Sequence, residues 1–152
     1  MALFLVQHGL SLPKDRDPEK SLSPEGIADT ERIAGVARGY AIHVSGIRHS
    51  GKKRAAQTAE IFAKSLEPAR GAEKISGINP MDDVAEFAKI ANSKDDLMLV
   101  GHLPFMEKLT AYLVTGSAEK PVFKFQNSGI VCLDEEPDIG WLIKWTLMPR
   151  IK

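Results

Sequence analysis

The chain has 152 residues, 43% of them hydrophobic, enough for one compact domain over 1–152 with a real core and too few for two. Lysine plus arginine equals aspartate plus glutamate, 20 each, and a neutral balance argues against nucleic acid as an obligatory partner. The single cysteine, Cys132, excludes an internal disulfide and a multi-cysteine zinc site and reads as a core residue. No apolar run approaches the ~20 residues that cross a membrane, and the apolar start is too short and insufficiently basic for a signal peptide, so the expectation is a soluble, cytoplasmic domain.

Leu3 to Val6 is a continuous apolar run, as a strand buried on both faces requires, and it stops at His8-Gly9. The polar stretch from Leu10 to Leu22 is either a solvated connection or a lid contributing Ser11, Lys14 or Arg16. Ser23 as cap and Pro24 at the first position start a helix, with Ile27, Thr30, Ile33, Ala34 and Ala37 on one face. His43 to His49 predicts a second strand, followed by a helix with the stripe Ala55, Ala59, Phe62, Ala63 and Leu66. Lys52, Lys53 and Arg54 crowd the first turn of that helix, where the dipole prefers anions. They form a solvated basic turn or a place where an anion binds.

Glu73 to Ile78 predicts a third strand, and Asn79-Pro80 a turn. Asp82 or Asp83 caps a helix carrying Val84, Phe87, Ala88 and Ala91. Leu97 to Val100 predicts a fourth strand ending in Gly101-His102, and Pro104 opens a helix with Phe105, Met106, Leu109, Tyr112 and Leu113 inward. Beyond Pro121, Val122–Gln126, Ile130–Leu133 and Trp141–Leu147 predict strands with no helix between them. The order predicts an α/β three-layer sandwich: a mostly parallel central sheet, helices on both faces, and antiparallel C-terminal strands.

In such sheets ligands bind beyond the carboxyl ends of the strands. His8, Arg54 and His102 each follow a different strand, so all three arrive at one edge. Carboxylates there are too few for a magnesium or calcium cage, two histidines lack a third zinc ligand, and no Walker loop or Gly-x-Ser-x-Gly elbow is present. What remains is a cationic anion pocket with a histidine able to attack phosphorus, and an arginine able to hold the equatorial oxygens.

Val6-Gln7-His8-Gly9, then His49-Ser50-Gly51-Lys52-Lys53-Arg54-Ala55-Ala56-Gln57-Thr58-Ala59, then Val100-Gly101-His102-Leu103-Pro104-Phe105 resemble the motifs of the histidine phosphatase superfamily, whose fold is the phosphoglycerate mutase-like one. The short chain and Leu22-Ser23-Pro24-Glu25-Gly26 make it most similar to the SixA-like phosphohistidine phosphatases. The resemblance implies a hydrolase with His8 as the nucleophile, phosphorylated during turnover, Arg54 as phosphate clamp, and His102 as hydrogen-bond donor to the phosphoryl group, with no metal or other cofactor. The implied substrate is phosphohistidine in a protein, with inorganic phosphate as product. A small phosphorylated metabolite is the alternative.

One position departs from the pattern: the arginine usual before the histidine is Gln7. Losing one charge-assisted contact costs on the order of a hundredfold in rate. This opens a further alternative, a phosphate-binding module with little turnover. Gln7, Ser11, Arg54, His102 and Lys52 are the expected phosphate contacts, and Asp82 or Asp83 is either a helix cap or the general acid.

Overall fold

The computed structural model describes residues 1–151. Its elements are β1 (Leu3–Gln7), α1 (Pro24–Gly39), β2 (Gly46–His49), α2 (Lys53–Leu66), β3 (Ala72–Lys74), α3 (Val84–Ala88), β4 (Leu97–Gly101), α4 (Phe105–Thr115), β5 (Ile130–Glu136) and β6 (Gly140–Leu147). They form one sheet in the order β3-β2-β4-β1-β5-β6. The first four strands in that order run parallel, and β5 is antiparallel to both β1 and β6. The expected α/β architecture is therefore present.

Strand periodicity divides the core. Phe4 and Val6 of β1, Met98 and Val100 of β4, and Ile130 and Cys132 of β5 face α1 and α2, whose Ile33, Ala34, Ala59 and Phe62 close that side. Leu3, Leu5, Leu99, Val131 and Leu133 face the opposite side, against Val84 and Phe87 of α3 and Phe105, Met106 and Leu109 of α4. Each fully buried aliphatic or phenyl side chain contributes roughly 1.5–3 kcal/mol, so the two layers hold the strand ends in fixed relation.

The helix starts follow their local chemistry. Ser23 Oγ accepts from the Gly26 N–H at 3.0 Å, Pro24 sits at the first helical position, and Glu25 meets the dipole. The start of α2 has no side-chain cap and no acidic residue in its first turn.

Four expectations shift. The Val122–Gln126 strand does not form. Phe123 and Phe125 instead pack on the α4 side at 6.0 Å ring separation, and Phe125 N–H donates to the Glu107 carboxylate rather than to a strand. The neighbouring place beside β1 is already taken by β5. The second strand begins at Gly46 rather than His43, because its partner β4 begins opposite Gly46, at Leu97. The third strand ends at Lys74, where β2 runs out, and Ile78 leaves the sheet to bury in the second core. The helix α3 stops at Ala88, short of Ala91.

Candidate active site

The ladder between β1 and β4 extends one step past the strand: His8 N–H donates to Gly101 O at 2.9 Å. On the other side, Asn127 Nδ2 donates to His8 O at 2.8 Å, and Ser128 N–H donates to Gln7 O at 2.9 Å. The nucleophile candidate therefore has its backbone held from both neighbours. Gly9 N–H donates to Thr58 Oγ1 at 2.9 Å, and Thr58 in turn donates to Arg54 O at 2.8 Å, which joins the first strand to the first turn of α2. A Cβ on Gly9 would lie 2.8 Å from Thr30 Oγ1, so a glycine is required at that packing distance.

The His8 side chain is oriented through its ring nitrogens. Nδ1 lies 2.7 Å from Gly9 O, which only accepts, so Nδ1 carries the proton and Nε2 keeps its lone pair. Arg54 Nε–H donates to that lone pair at a long 3.3 Å. Burial pushes the His8 pKa down to about 4; the Gly9 carbonyl opposes this, and Arg54 and Lys20 add to it. His8 is thus a neutral imidazole at physiological pH, with a lone pair of the kind a nucleophile needs.

His102 is buried, 1% exposed, and its ring centroid lies 5.1 Å from that of His8. Burial lowers its pKa to about 3, with the charges of His8, Arg54, Lys52 and Lys20 acting in the same direction. Its Nε2 lies 2.6 Å from Ser50 Oγ, which also accepts from Lys52 N–H at 3.4 Å. When the hydroxyl donates its proton to Nε2, the imidazole proton sits on Nδ1. That Nδ1 is buried with no partner among the described residues.

The structure brings His8, Arg54 and His102 together, with Lys52 exposed at the rim. Gln7 ends β1 beside them; its Oε1 is buried with no hydrogen-bond partner among the described residues. Ser11 lies in the following loop, in a bridge with Leu22, and makes no side-chain hydrogen bond among the described residues. Asp82 accepts from Asn79 N–H at 2.9 Å, and Asp83 caps α3 through Ala85 N–H at 2.9 Å. Neither is bonded to His8, Arg54 or His102. Lys14 and Arg16 are exposed without ion-pair partners among the described residues. No three His, Cys, Asp or Glu side chains among those residues converge as metal ligands.

Four contributing residues are not singled out by the sequence alone: Ser50, Thr58, Asn127 and Lys20. Ser50 and Thr58 sit inside the basic motif and carried a signal by position. Asn127 occupies a turn whose only sequence reading was a turn, and Lys20 sits in a loop of mixed charge.

No family model matches the sequence. Two uncharacterized proteins of Mycobacterium tuberculosis, Rv1276c of strain H37Rv and MT1313 of strain CDC 1551, are each 30% identical over 140 residues, covering 84% of this chain and 88% of the relative. Among solved structures, the protein histidine phosphatase SixA complexed with tungstate superposes with a TM-score of 0.82 at 23% identity, covering 98% of this chain and 97% of that one. The mycobacterial glucosyl-3-phosphoglycerate phosphatase superposes with a TM-score of 0.69 at 15% identity, covering 97% and 99%.

Proposed function

The chain belongs to the family of the two mycobacterial proteins and has the histidine phosphatase fold, and from that premise we propose that it is a phosphatase acting on phosphohistidine in a protein. The observation that carries the reading is the His8 ring: its Nδ1 proton is committed to Gly9 O, while its Nε2 lone pair faces the Arg54 guanidinium. The imidazole is therefore neutral and aimed toward a guanidinium that can hold a phosphoryl group.

In the first step His8 Nε2 bonds to phosphorus as the bond from phosphorus to the leaving nitrogen breaks, and the leaving imidazole, already protonated on its other nitrogen, takes that electron pair and departs neutral. Arg54 exchanges its long contact with His8 for the equatorial oxygens, and the unpartnered His102 Nδ1–H donates to one of them. In the second step water attacks phosphorus, the bond to His8 breaks, and inorganic phosphate leaves with the water's oxygen. Imidazole departs far more readily than an alkoxide, which needs a proton from an acid. The backbone bonds that engage Asp82 and Asp83 therefore weigh toward the phosphoramidate over a small phosphate ester.

The test is release of inorganic phosphate from a histidine-phosphorylated phosphotransfer protein, in EDTA, with His8→Ala beside the native chain. Turnover confined to the native chain supports the reading. Turnover of a sugar phosphate in preference to the phosphoprotein moves the assignment to the small ester. No turnover of either substrate refutes phosphatase activity.

A further inference from the structure

Resting on the phosphatase reading, we propose that Thr30 and Ser128 are positioning residues for His8: one buried pair of hydroxyls, from α1 and from the turn before β5, sets the backbone on both sides of the nucleophile. Both residues are wholly buried, at 0% exposure. Their hydroxyl oxygens lie 2.7 Å apart, and Thr30 Oγ1 lies 2.7 Å from Gly26 O. A carbonyl only accepts, so the Thr30 proton is committed to Gly26 O, and the Ser128 hydroxyl donates to Thr30 Oγ1. The direction of both bonds is thereby fixed, and neither hydroxyl is left without a partner.

Two contacts carry this pair to His8. On one side Thr30 Oγ1 packs against Gly9, where an added Cβ would come within 2.8 Å of it. Gly9 O takes the Nδ1 proton of His8, so the residue seated on Thr30 is the one that turns the imidazole. On the other side Ser128 is held at φ of +71°, a backbone conformation that a serine avoids. Strain of this kind persists only where the surroundings enforce it. Here the hydroxyl ties Ser128 to α1, while its N–H donates to Gln7 O at 2.9 Å. With Ser128 locked between helix and strand, the preceding Asn127 places its Nδ2 2.8 Å from His8 O. Helical periodicity alone puts Thr30 on the buried face of α1, and a valine of the same shape would serve that face. What a valine lacks is the oxygen that accepts from Ser128 and seats Gly9.

The experiment measures thermal unfolding, turnover of the phosphorylated phosphotransfer protein and inhibition by tungstate in the native chain, Thr30→Val, Thr30→Ser, Ser128→Ala and the double variant Thr30→Val/Ser128→Ala. Thr30→Val strands the Ser128 hydroxyl without an acceptor, so Tm should fall by about 4–8 °C. In the double variant no hydroxyl is stranded, and most of that Tm should return. Turnover should not return with it: kcat should stay about tenfold below native in Thr30→Val and in the double variant alike. The tungstate inhibition constant should stay within about threefold of native in both, because the anion is held by side chains of the pocket and not by the His8 backbone. Ser128→Ala leaves the Thr30 proton on Gly26 O, so kcat should drop with little change in Tm. Thr30→Ser supplies the hydroxyl again and should recover kcat. A double variant that regains kcat along with Tm overturns the assignment, because the pair would then act through stability alone. A native chain that turns over beside a Ser128→Ala chain of equal kcat overturns it too, and leaves the phosphatase reading standing. A native chain that neither turns over nor binds tungstate overturns the phosphatase reading and this assignment with it.

Discussion

Ser50→Ala removes one oxygen atom, and its consequence can be worked through from the geometry. The Ser50 hydroxyl is the one hydrogen-bond partner of the buried His102 ring among the described residues, at 2.6 Å, and the other ring nitrogen already has none. Without the hydroxyl both nitrogens are buried and unpaired. Leaving a buried polar atom unsatisfied costs about 1–3 kcal/mol. For a chain of this size about 2 kcal/mol lowers Tm by roughly 4–8 °C. The same change removes the hydroxyl that holds Nε2 and orients the ring. Losing a group that orients a working histidine typically costs ten- to hundredfold in activity. Urea unfolding of the native chain, Ser50→Ala, His102→Ala and the double variant forms a closed cycle. The expected coupling is at least about 1 kcal/mol, since Ser50→Ala has little left to break once the imidazole is gone. A Ser50→Ala chain within about 0.5 kcal/mol of native, with additive single effects, would refute the argument.

Gly26→Ala should be severely destabilising, because a Cβ there would lie 2.1 Å from Leu10 O, a backbone atom that cannot rotate away. The expected loss is about 1–3 kcal/mol, with turnover falling further than stability because Leu10 adjoins the His8-Gly9 pair; thermal melts and kcat measured together check it. Stability should also fall between pH 6.5 and about 4, the window between the ordinary histidine pKa and the lowered value of His8. There the unfolded chain binds protons that the folded chain refuses, so unfolding becomes easier as pH drops, by on the order of 3 kcal/mol for His8. A His8→Gln/His102→Gln chain should lose less stability than native between pH 7.5 and 4.5 in urea titrations, and equal slopes would contradict the origin assigned to it.

The sequence made the layer order legible because each apolar strand run and each helical stripe carries its own period. Phe4 and Val6 alternate with Leu3 and Leu5 across the two cores just as a doubly covered strand requires. Pairing was less legible. Val122–Gln126 has strand-like alternation, yet its aromatic residues serve a helix face, and only the three-dimensional occupancy beside β1 decides between the two uses. The convergence of His8, Arg54 and His102 followed from topology alone, since each residue ends a parallel strand or begins the helix after it. The supports were hidden for a different reason. Asn127 acts through a bond to a backbone carbonyl 119 positions away, and such a contact leaves no local pattern.

Synthesis of the chain meets the first strand long before its partners exist. The strand that leads to His8 is synthesised before both of its neighbours, which begin at Leu97 and Ile130, and the residue that fastens the His8 carbonyl is Asn127. Local pieces such as α1 and α2 can form on the way, while the central strand waits as an exposed apolar ribbon. Until β5 arrives, His8 has neither its fixed backbone nor its final surroundings. The arrival of β5 therefore both closes the sheet beside β1 and completes the surroundings of His8.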